Sequence, residues 1–211
     1  MESNLEAGAP AQRKGGRPLS FDRDAALEQA MLLFWRHGYE TTSISDLTQA
    51  MGITAPSLYT AFGDKRRLFL EAARRYAGDP EVIGQAIDGA ATARDAAAML
   101  LTNAVVVFTG EATPPGCLLA SATASGSAAS ADVQAVVAGY RREICDRLQA
   151  RIERDMASGA LAPATDPATL AALVVTMVQG LSVMARDGAS RAFLSGVADA
   201  SLCAWPNPLL N

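Results

Sequence analysis

The stretch that decides the fold covers residues 43–62 and reads SISDLTQAMGITAPSLYTAF. It predicts two short helices. Ser43 followed three residues later by Asp46 is typical of a capping box at the start of the first helix, and Gly52 suits its end. Pro56 lies in the first turn of the second helix, where its missing N–H does no harm. The two helices are therefore short and almost adjacent along the chain.

A longer helix is predicted on each side of this pair. Asp22 can cap the first one, apolar residues then recur every three or four positions, and Gly38 suits its end. Asp64 can cap the second one, which is expected from Lys65 to about Tyr76. Short helices with this spacing are typical of a helix-turn-helix, whose second helix can enter the major groove of DNA. The spacing alone is weak evidence, because any compact helical protein contains pairs of short helices.

Beyond residue 78 the composition shifts to Ala, Val and Leu, with almost no pattern typical of strands. Helices are predicted over residues 92–109, 132–156, 166–188 and 190–204, with a short one starting at Cys117. Residues 121–130 fit either a helix or a loop. The predicted fold class is therefore all-α, with an N-terminal three-helix helix-turn-helix domain and a larger helical domain. The predicted boundaries are 1–20 for an arm, 21–77 for the first domain and 78–211 for the second.

The bulk composition excludes several classes of protein. Half of the 211 residues are hydrophobic, which is enough to fill a core, so the chain is not a disordered protein. No uninterrupted apolar run reaches the roughly 18 to 20 residues of a membrane span, and no secretion signal is visible, which predicts a cytoplasmic protein. Cys117, Cys145 and Cys203 lack the spacing of a zinc site or a redox pair. With no catalytic constellation or phosphate loop either, the sequence predicts no enzyme, no cofactor and no metal.

The net charge of −4 taken alone argues against a nucleic-acid binder, but the charges are unevenly distributed. Residues 1–77 carry ten basic and nine acidic groups, whereas the remainder carries eight basic and thirteen acidic groups. Arg13, Lys14 and Arg17 lie among glycines and a proline, in a segment predicted to be a flexible arm. This arm is either an ordinary basic tail or an element that enters the minor groove of DNA.

A resemblance to a known family is stronger evidence for a helix-turn-helix than the spacing of the helices alone. Residues 17–77 contain a series of short motifs in a fixed order: Arg17-Pro18, Phe21-Asp22, Phe34, His37-Gly38-Tyr39, Thr42-Ser43-Ile44, Leu47, Met51-Gly52-Ile53, Ser57-Leu58-Tyr59, Phe62, Asp64-Lys65 and Leu68-Phe69. This series resembles the DNA-binding domain of the TetR family of transcriptional regulators. The resemblance fades after about residue 77. It implies an all-helical homodimer that binds double-stranded DNA, commonly a repressor that leaves its operator when an effector binds.

The resemblance also implies roles for individual residues. The recognition-helix positions that face the groove are Ala55, Pro56, Ser57, Tyr59 and Thr60. Thr42, Ser43 and Ser45 match the start of the preceding helix, where a phosphate is favoured. Lys65 matches the family's phosphate-binding lysine, and Arg13, Lys14 and Arg17 would supply the arm.

Several of these positions have an ordinary structural alternative. Ser43 could be only a helix cap, Pro56 only a helix starter, and the ring of Tyr59 part of the core. Lys65, with its neighbours Arg66 and Arg67, could be a solvated helix face. Ala55 and Ala61 replace the longer polar side chains that family members often carry, so the recognition helix lacks Arg, Asn and Gln for bidentate base contacts. Part of the specificity is therefore expected from the arm.

The second domain is interpreted by analogy. The last two helices, over about 167–204, are expected to form the dimer, and a twofold dimer demands a near-palindromic operator. A pocket for an unidentified small-molecule effector is expected among the helices over about 92–158, with candidates Met99, Phe108, Cys117, Leu118 and Tyr140, but no ligand residue is assigned. Cys117 follows Pro-Pro-Gly at a predicted helix start, which makes it either a sensor of oxidants or electrophiles or an inert buried thiol.

Two other functions remain open from the sequence. One is a helical small-molecule carrier or enzyme that retains a degenerate helix-turn-helix. The intact Tyr59 and Lys65 and the basic bias of the first third speak against it. The other is a DNA-binding protein of nucleoid or protein-partnered kind that has no effector.

Overall fold

The computed structural model describes residues 21–123 and 130–206, and within that part the secondary structure is entirely helical. Ten α-helices follow one another along it: α1 Arg23–His37, α2 Ile44–Met51, α3 Ala55–Phe62, α4 Lys65–Ala77, α5 Pro80–Gly89, α6 Ala93–Phe108, α7 Leu118–Thr123, α8 Ala131–Ala157, α9 Pro167–Arg186 and α10 Arg191–Leu202. The predicted all-α fold with an N-terminal helix-turn-helix is confirmed.

Helices α1 to α4 begin and end where their capping residues predict. Asp22 accepts from the backbone of the first turn of α1, and Asp64 accepts from the Arg67 N–H at 2.7 Å at the start of α4. Inside the unit, Phe34 meets Phe69 edge to face with 5.2 Å between ring centroids. Leu47 from α2 and Leu58 from α3 are fully buried in the same core. These contacts hold the two short helices against α1 and α4, because helices of eight residues are not stable alone.

Helix α5 is the element that the sequence analysis missed. Asp79 caps it by accepting from the Glu81 N–H, and Pro80 occupies its first position. Gly84 and Gly89 lower its helical propensity, which hid it in the sequence. The guanidinium of Arg147 from α8 lies directly over Gly84, so this flexible side chain would have to shift to admit a Cβ there.

The remaining helices form a second packed unit. Helix α9 packs against α6, α8 and α10, and α5 lies along α8. A buried charged pair on α8 fixes the segment before α6: Arg151 is ion-paired with Asp155, and its guanidinium donates to the carbonyls of Ala90 and Ala91. Asp155 also accepts from the Ala93 N–H at 2.7 Å, so it satisfies a backbone donor in the first turn of a neighbouring helix.

Helix α9 bears on the expectation about apolar runs. Helix α9 is long and apolar enough to cross a membrane by length and composition, with a mean hydropathy of 1.8 in an 18-residue window. Uninterrupted apolar runs are shorter because Thr and Gln residues punctuate them. Core helices of soluble proteins meet the same criterion, and α9 packs against three other helices here.

The two units are joined through α1 and the loop before α7. The Trp35 indole Nε1 donates to the Gly116 carbonyl at 2.9 Å, and Arg186 from α9 donates to the Trp35 carbonyl at 2.7 Å. Gly116 has a φ of 79°, and a Cβ there would lie 2.8 Å from the Ser182 carbonyl oxygen. This position therefore requires glycine both for its backbone conformation and for the close approach of α9.

Candidate nucleic-acid interface and effector cavity

The turn between α2 and α3 has the geometry that a helix-turn-helix needs. Gly52 ends α2 in the left-handed conformation with a φ of 66°, which favours glycine. The N–H of Ile53 then donates to the Thr48 carbonyl at 3.1 Å, and Thr54 caps α3. Only three residues thus separate the helices, and α3 is presented on the surface with its axis fixed by α2.

Helix α3 has one buried and one outward face. Leu58 and Phe62 are buried, whereas Pro56, Tyr59 and Thr60 point outward. The Tyr59 side chain is 51% exposed, although aromatic rings of this size usually lie in a core. No hydrogen bond of the described residues uses its hydroxyl. The alternative in which Tyr59 fills the core therefore does not describe this fold.

The other predicted positions of α3 are partly occupied by local contacts. The Ser57 hydroxyl lies 2.9 Å from that of Thr54, and the Thr60 hydroxyl donates to the Pro56 carbonyl at 2.8 Å. Both oxygens retain the capacity to accept a further hydrogen bond. Ala55 is half-buried and offers only a methyl group at the surface. Ala61 packs against the core, so a longer polar side chain there would not simply face the groove.

The start of α2 is already capped by its own residues. The Ser43 hydroxyl and N–H both donate to Asp46, at 2.6 and 2.9 Å, and these hydrogen bonds lower the pKa of the Asp46 carboxyl below its usual value. The structure thus supports the capping role of Ser43. Ser45 is exposed. Thr42 is buried, and its hydroxyl donates to the Gly38 carbonyl at 2.6 Å, so its side chain faces the core rather than solvent.

Lys65 lies at the start of α4, close to the turn before α2. Its Nζ donates to the Glu40 carbonyl at 3.3 Å and lies 4.5 Å from the centre of the Tyr39 ring. Burial lowers the pKa of Lys65 below its usual value, and the charge of Glu40 opposes this effect. Lys65 is therefore a positioned ammonium rather than a freely solvated one.

Arg67 is a basic candidate that the sequence analysis passed over. Its side chain lies against Gly63 at the end of α3, where a Cβ would come within 2.8 Å of the Arg67 Cδ. Gly63 has a φ of 85°, so both its backbone and its lack of a side chain make this approach possible. In the sequence, the one sign of this approach of Arg67 was the glycine that follows Phe62. Arg66 instead forms an ion pair with Asp132 of α8. The predicted arm residues Arg13, Lys14 and Arg17 lie outside the described residues.

A cavity of about 460 Å³ lies in the second unit and opens to solvent where Val82, Val106 and Val107 are exposed. This volume is within the range that holds drug-sized molecules. Met99, Phe108, Cys117 and Tyr140 line it as expected, but Leu118 is buried elsewhere in the core. The expected range of 92–158 was too narrow, because α4, α5 and α9 also supply wall residues, among them Tyr76, Val82 and Val178. Helices distant in sequence converge there, which periodicity within one helix does not reveal.

Cys117 lies between the cavity and the junction of the two units. Its Sγ lines the cavity and is 3.4 Å from the Tyr76 hydroxyl. Burial and the adjacent Cys117 raise the pKa of Tyr76 above its usual value, so the phenol stays protonated and donates to sulfur. The Cys117 N–H donates to the buried Ser182 hydroxyl at 2.8 Å, and the preceding Gly116 is bonded to Trp35 of α1.

Comparison with known proteins covers almost the whole chain. The family of bacterial regulatory proteins named after TetR matches residues 26–72, and the tetracyclin repressor-like C-terminal domain matches residues 95–196. The chain is 36% identical over 199 residues to the HTH-type transcriptional repressor ComR of Escherichia coli K12, covering 92% of this chain and 94% of that one.

Two solved structures extend the comparison. A cysteine mutant of the TetR family transcriptional regulator CifR, complexed with 26-base-pair operator DNA, is 42% identical with a TM-score of 0.83, covering 90% of this chain and all of that one. A TetR regulator from Rhodococcus sp. RHA1 is 39% identical with a TM-score of 0.61, covering 86% of this chain and 98% of that one. On this evidence the chain is a DNA-binding transcriptional regulator rather than an enzyme, and it belongs to the TetR family.

Proposed function

We propose that this protein is a homodimeric repressor that binds a near-palindromic operator through α3 and releases it when a small molecule enters the cavity. The observation that carries this function is the outward face of α3, with an exposed Tyr59 on a helix that α2 and α4 hold in place. Residues 21–77 would form the DNA-binding domain, 78–211 the effector-binding and dimerisation domain, and 1–20 the basic arm. Such a regulator acts in the cytoplasm, where its operator is.

The proposed contacts with DNA divide into two kinds. Tyr59, Thr60, Ser57, Pro56 and Ala55 would meet base edges and nearby phosphates in the major groove, with hydroxyls as donors and acceptors and carbon atoms against thymine methyl groups. Ser45, the N–H groups at the start of α2, Lys65 and Arg67 would bind phosphates. Thr42 and Ser43 would act by shaping the start of α2, and Arg13, Lys14 and Arg17 would enter the minor groove.

Replacing Lys65 with glutamine is expected to weaken operator binding about tenfold, because a charged hydrogen bond to phosphate is lost. It should also reduce the slope of log K against log salt by about 0.9, the value for one phosphate contact. The measurement is a mobility shift with the DNA upstream of the protein's own coding region, at several salt concentrations.

Arg74→Gln is the matched control, since Arg74 is an exposed residue at the other end of α4. It should leave both the affinity and the slope unchanged. An unchanged slope for the Lys65 variant would remove Lys65 from the interface. A wild-type protein that does not shift this DNA would contradict autoregulation through this operator.

The uncovered faces of α9 and α10 support the homodimer. Leu173 and Val183 of α9 are 47% and 58% exposed, and Phe193 of α10 is 56% exposed. Thr176 and Gly180 share the α9 face, so two small residues lie between the two larger ones along it. A helix with this much exposed apolar surface is expected to pack against a partner. Two helices from each subunit would then form a four-helix bundle.

The hydrogen bonds between the two units support a route from the cavity to DNA. A ligand that displaces Cys117 would move Gly116, and with it the indole of Trp35 on α1. Helix α1 packs on α2, so a shift of α1 would change the spacing of the two recognition helices in the dimer. Because a twofold dimer reads two half-sites at fixed separation, a small change of spacing suffices for release.

Cys117 supports a second mode of release, by oxidation. Hydrogen peroxide would transfer an oxygen atom to Sγ, giving a sulfenic acid and water. The added oxygen would disturb the contact with Tyr76. Mild peroxide is expected to weaken operator binding roughly tenfold, and Cys117→Ser should abolish the response in the same mobility shift. Cys203→Ser, at an exposed cysteine, is the control. An equal response in both variants would show that Cys117 is an inert buried thiol.

A further inference from the structure

The cavity wall is apolar almost throughout, which makes its few polar groups informative. Alanine, valine, leucine, isoleucine and methionine side chains supply most of the lining. Among the described lining residues, Arg141 of α8 is the one that carries a formal charge, and none is Asp or Glu. In ligand sites of this kind, a small number of polar groups fixes the orientation of an otherwise apolar ligand.

Arg141 differs from three arginines farther along α8, each of which is paired with a carboxylate. Arg147 is 2.8 Å from Glu81, Arg154 is 2.7 Å from Asp88, and Arg151 is ion-paired with Asp155. Over residues 21–123 and 130–206, by contrast, no hydrogen bond or ion pair engages the guanidinium of Arg141. A half-buried guanidinium beside an apolar wall keeps only part of its hydration, so an anion in the cavity would find a charged hydrogen-bond donor there that no carboxylate of the described residues occupies.

Two amides add to the polar part of the wall, which also includes the Tyr76 and Tyr140 hydroxyls and the Cys117 thiol. Asn103 of α6 and Gln179 of α9 line the same cavity as Arg141. Their side-chain amides can donate to further oxygen atoms of a ligand. A guanidinium fork matches the two oxygens of a carboxylate, and a single arginine balances a single negative charge.

We propose that the effector is an organic carboxylate with an apolar body, whose carboxylate binds Arg141 while its body fills the cavity between α6, α8 and α9. This inference rests on the proposed function and names the chemical class of its effector. The apolar lining selects for the body, and the fork of Arg141 selects for the anion over a neutral or cationic head group of equal length.

The test compares three probes of equal chain length, octanoate, octanol and octylamine, by calorimetry on the full-length protein without DNA. Octanoate is expected to bind at least about tenfold more tightly than octanol, because it gains one charge-assisted hydrogen-bonded pair with Arg141. Octylamine is expected to bind most weakly of the three. Arg141→Gln should abolish the preference for octanoate, and Arg141→Lys should retain part of it. Arg142→Gln, at the exposed neighbouring arginine, should leave it unchanged.

The outcomes separate this inference from the function on which it rests. Equal binding of octanoate and octanol, no binding of octanoate, or an unchanged preference in Arg141→Gln would each overturn it. A mobility shift with the upstream DNA is run on the same preparations. If the protein binds that DNA but shows no preference for octanoate, the regulator stands and the carboxylate class is wrong. If it prefers octanoate but does not shift the upstream DNA, the carboxylate class stands and the proposed binding to this operator fails instead.

Discussion

Replacing Asp155 with alanine is expected to lower the free energy of unfolding by about 3–5 kcal/mol, the cost of breaking a buried ion pair from one side. Arg151 and Asp155 are both buried, so the variant would leave the Arg151 charge without a counterion. The backbone N–H of Ala93, which donates to Asp155, would lose its acceptor as well. Denaturant unfolding followed by circular dichroism measures the effect.

Two further variants make this expectation specific. Glu153→Ala removes an exposed carboxylate on the same helix and should change stability by less than about 0.5 kcal/mol. The double variant Arg151→Met, Asp155→Leu should recover the part of the loss that comes from the unpaired Arg151 charge, because a buried ion pair replaced by apolar residues of similar volume is often neutral or stabilising. The Ala93 N–H and the Ala90 and Ala91 carbonyls still lose their side-chain partners in that variant, so the recovery should be partial. The Nε of Arg151, which is buried without a hydrogen-bond partner, favours that recovery. A small effect of Asp155→Ala would mean that water reaches the pair.

Introducing glutamate at both Leu173 and Val183 is expected to lower operator affinity about 100- to 10,000-fold, the range over which linking two binding units increases avidity. The two side chains lie about 15 Å apart along α9 at 1.5 Å per residue, so the charges would span its uncovered face. Both are exposed in the single chain, so each protomer should still fold. Light scattering measures the mass, and a mobility shift measures the affinity.

Val136→Glu is the matched control, because Val136 is an exposed apolar residue on α8 rather than on α9 or α10. It should leave the mass and the affinity unchanged. A double variant that stays dimeric, or a monomer that binds the operator as tightly as the wild type, would contradict the proposed dimer. A loss of helical content in the double variant would show that these residues stabilise the protomer itself.

Local chemistry explains why most helices were predictable. Ser43 with Asp46 and Thr92 with Asp95 both form capping boxes, and each interaction is confined to four consecutive residues. Helix α5 was not predicted because Gly84 and Gly89 weaken its helical pattern. The contact that Gly84 makes is with the guanidinium of Arg147, more than sixty residues away in the sequence. The signal of α5 in the sequence was weakened by a glycine whose contact only the folded chain contains.

For the candidate site too, the sequence predicted the local features but not which side chains are exposed. The order of motifs from Arg17 to Phe69 identified the family, because it reflects a local sequence of caps, turns and buried positions. Residues of that series face different ways in the folded chain. Tyr59 is exposed, as a contact with DNA requires, whereas Thr42 is buried against Gly38. Arg67 became a candidate for phosphate binding only when the structure showed its side chain against Gly63.

The sequence by itself determined the helical class, the helix-turn-helix and its family, because these depend on capping, periodicity and motifs that lie close together along the chain. The folded structure was needed to show which side chains line the cavity, that Arg141 lies there without a carboxylate partner among the described residues, and that Arg151 and Asp155 are buried together. The physical reason is that burial and charge pairing are properties of surfaces brought together from distant segments. The residue type determines which interactions a side chain can make, and the folded environment determines which of these interactions it makes.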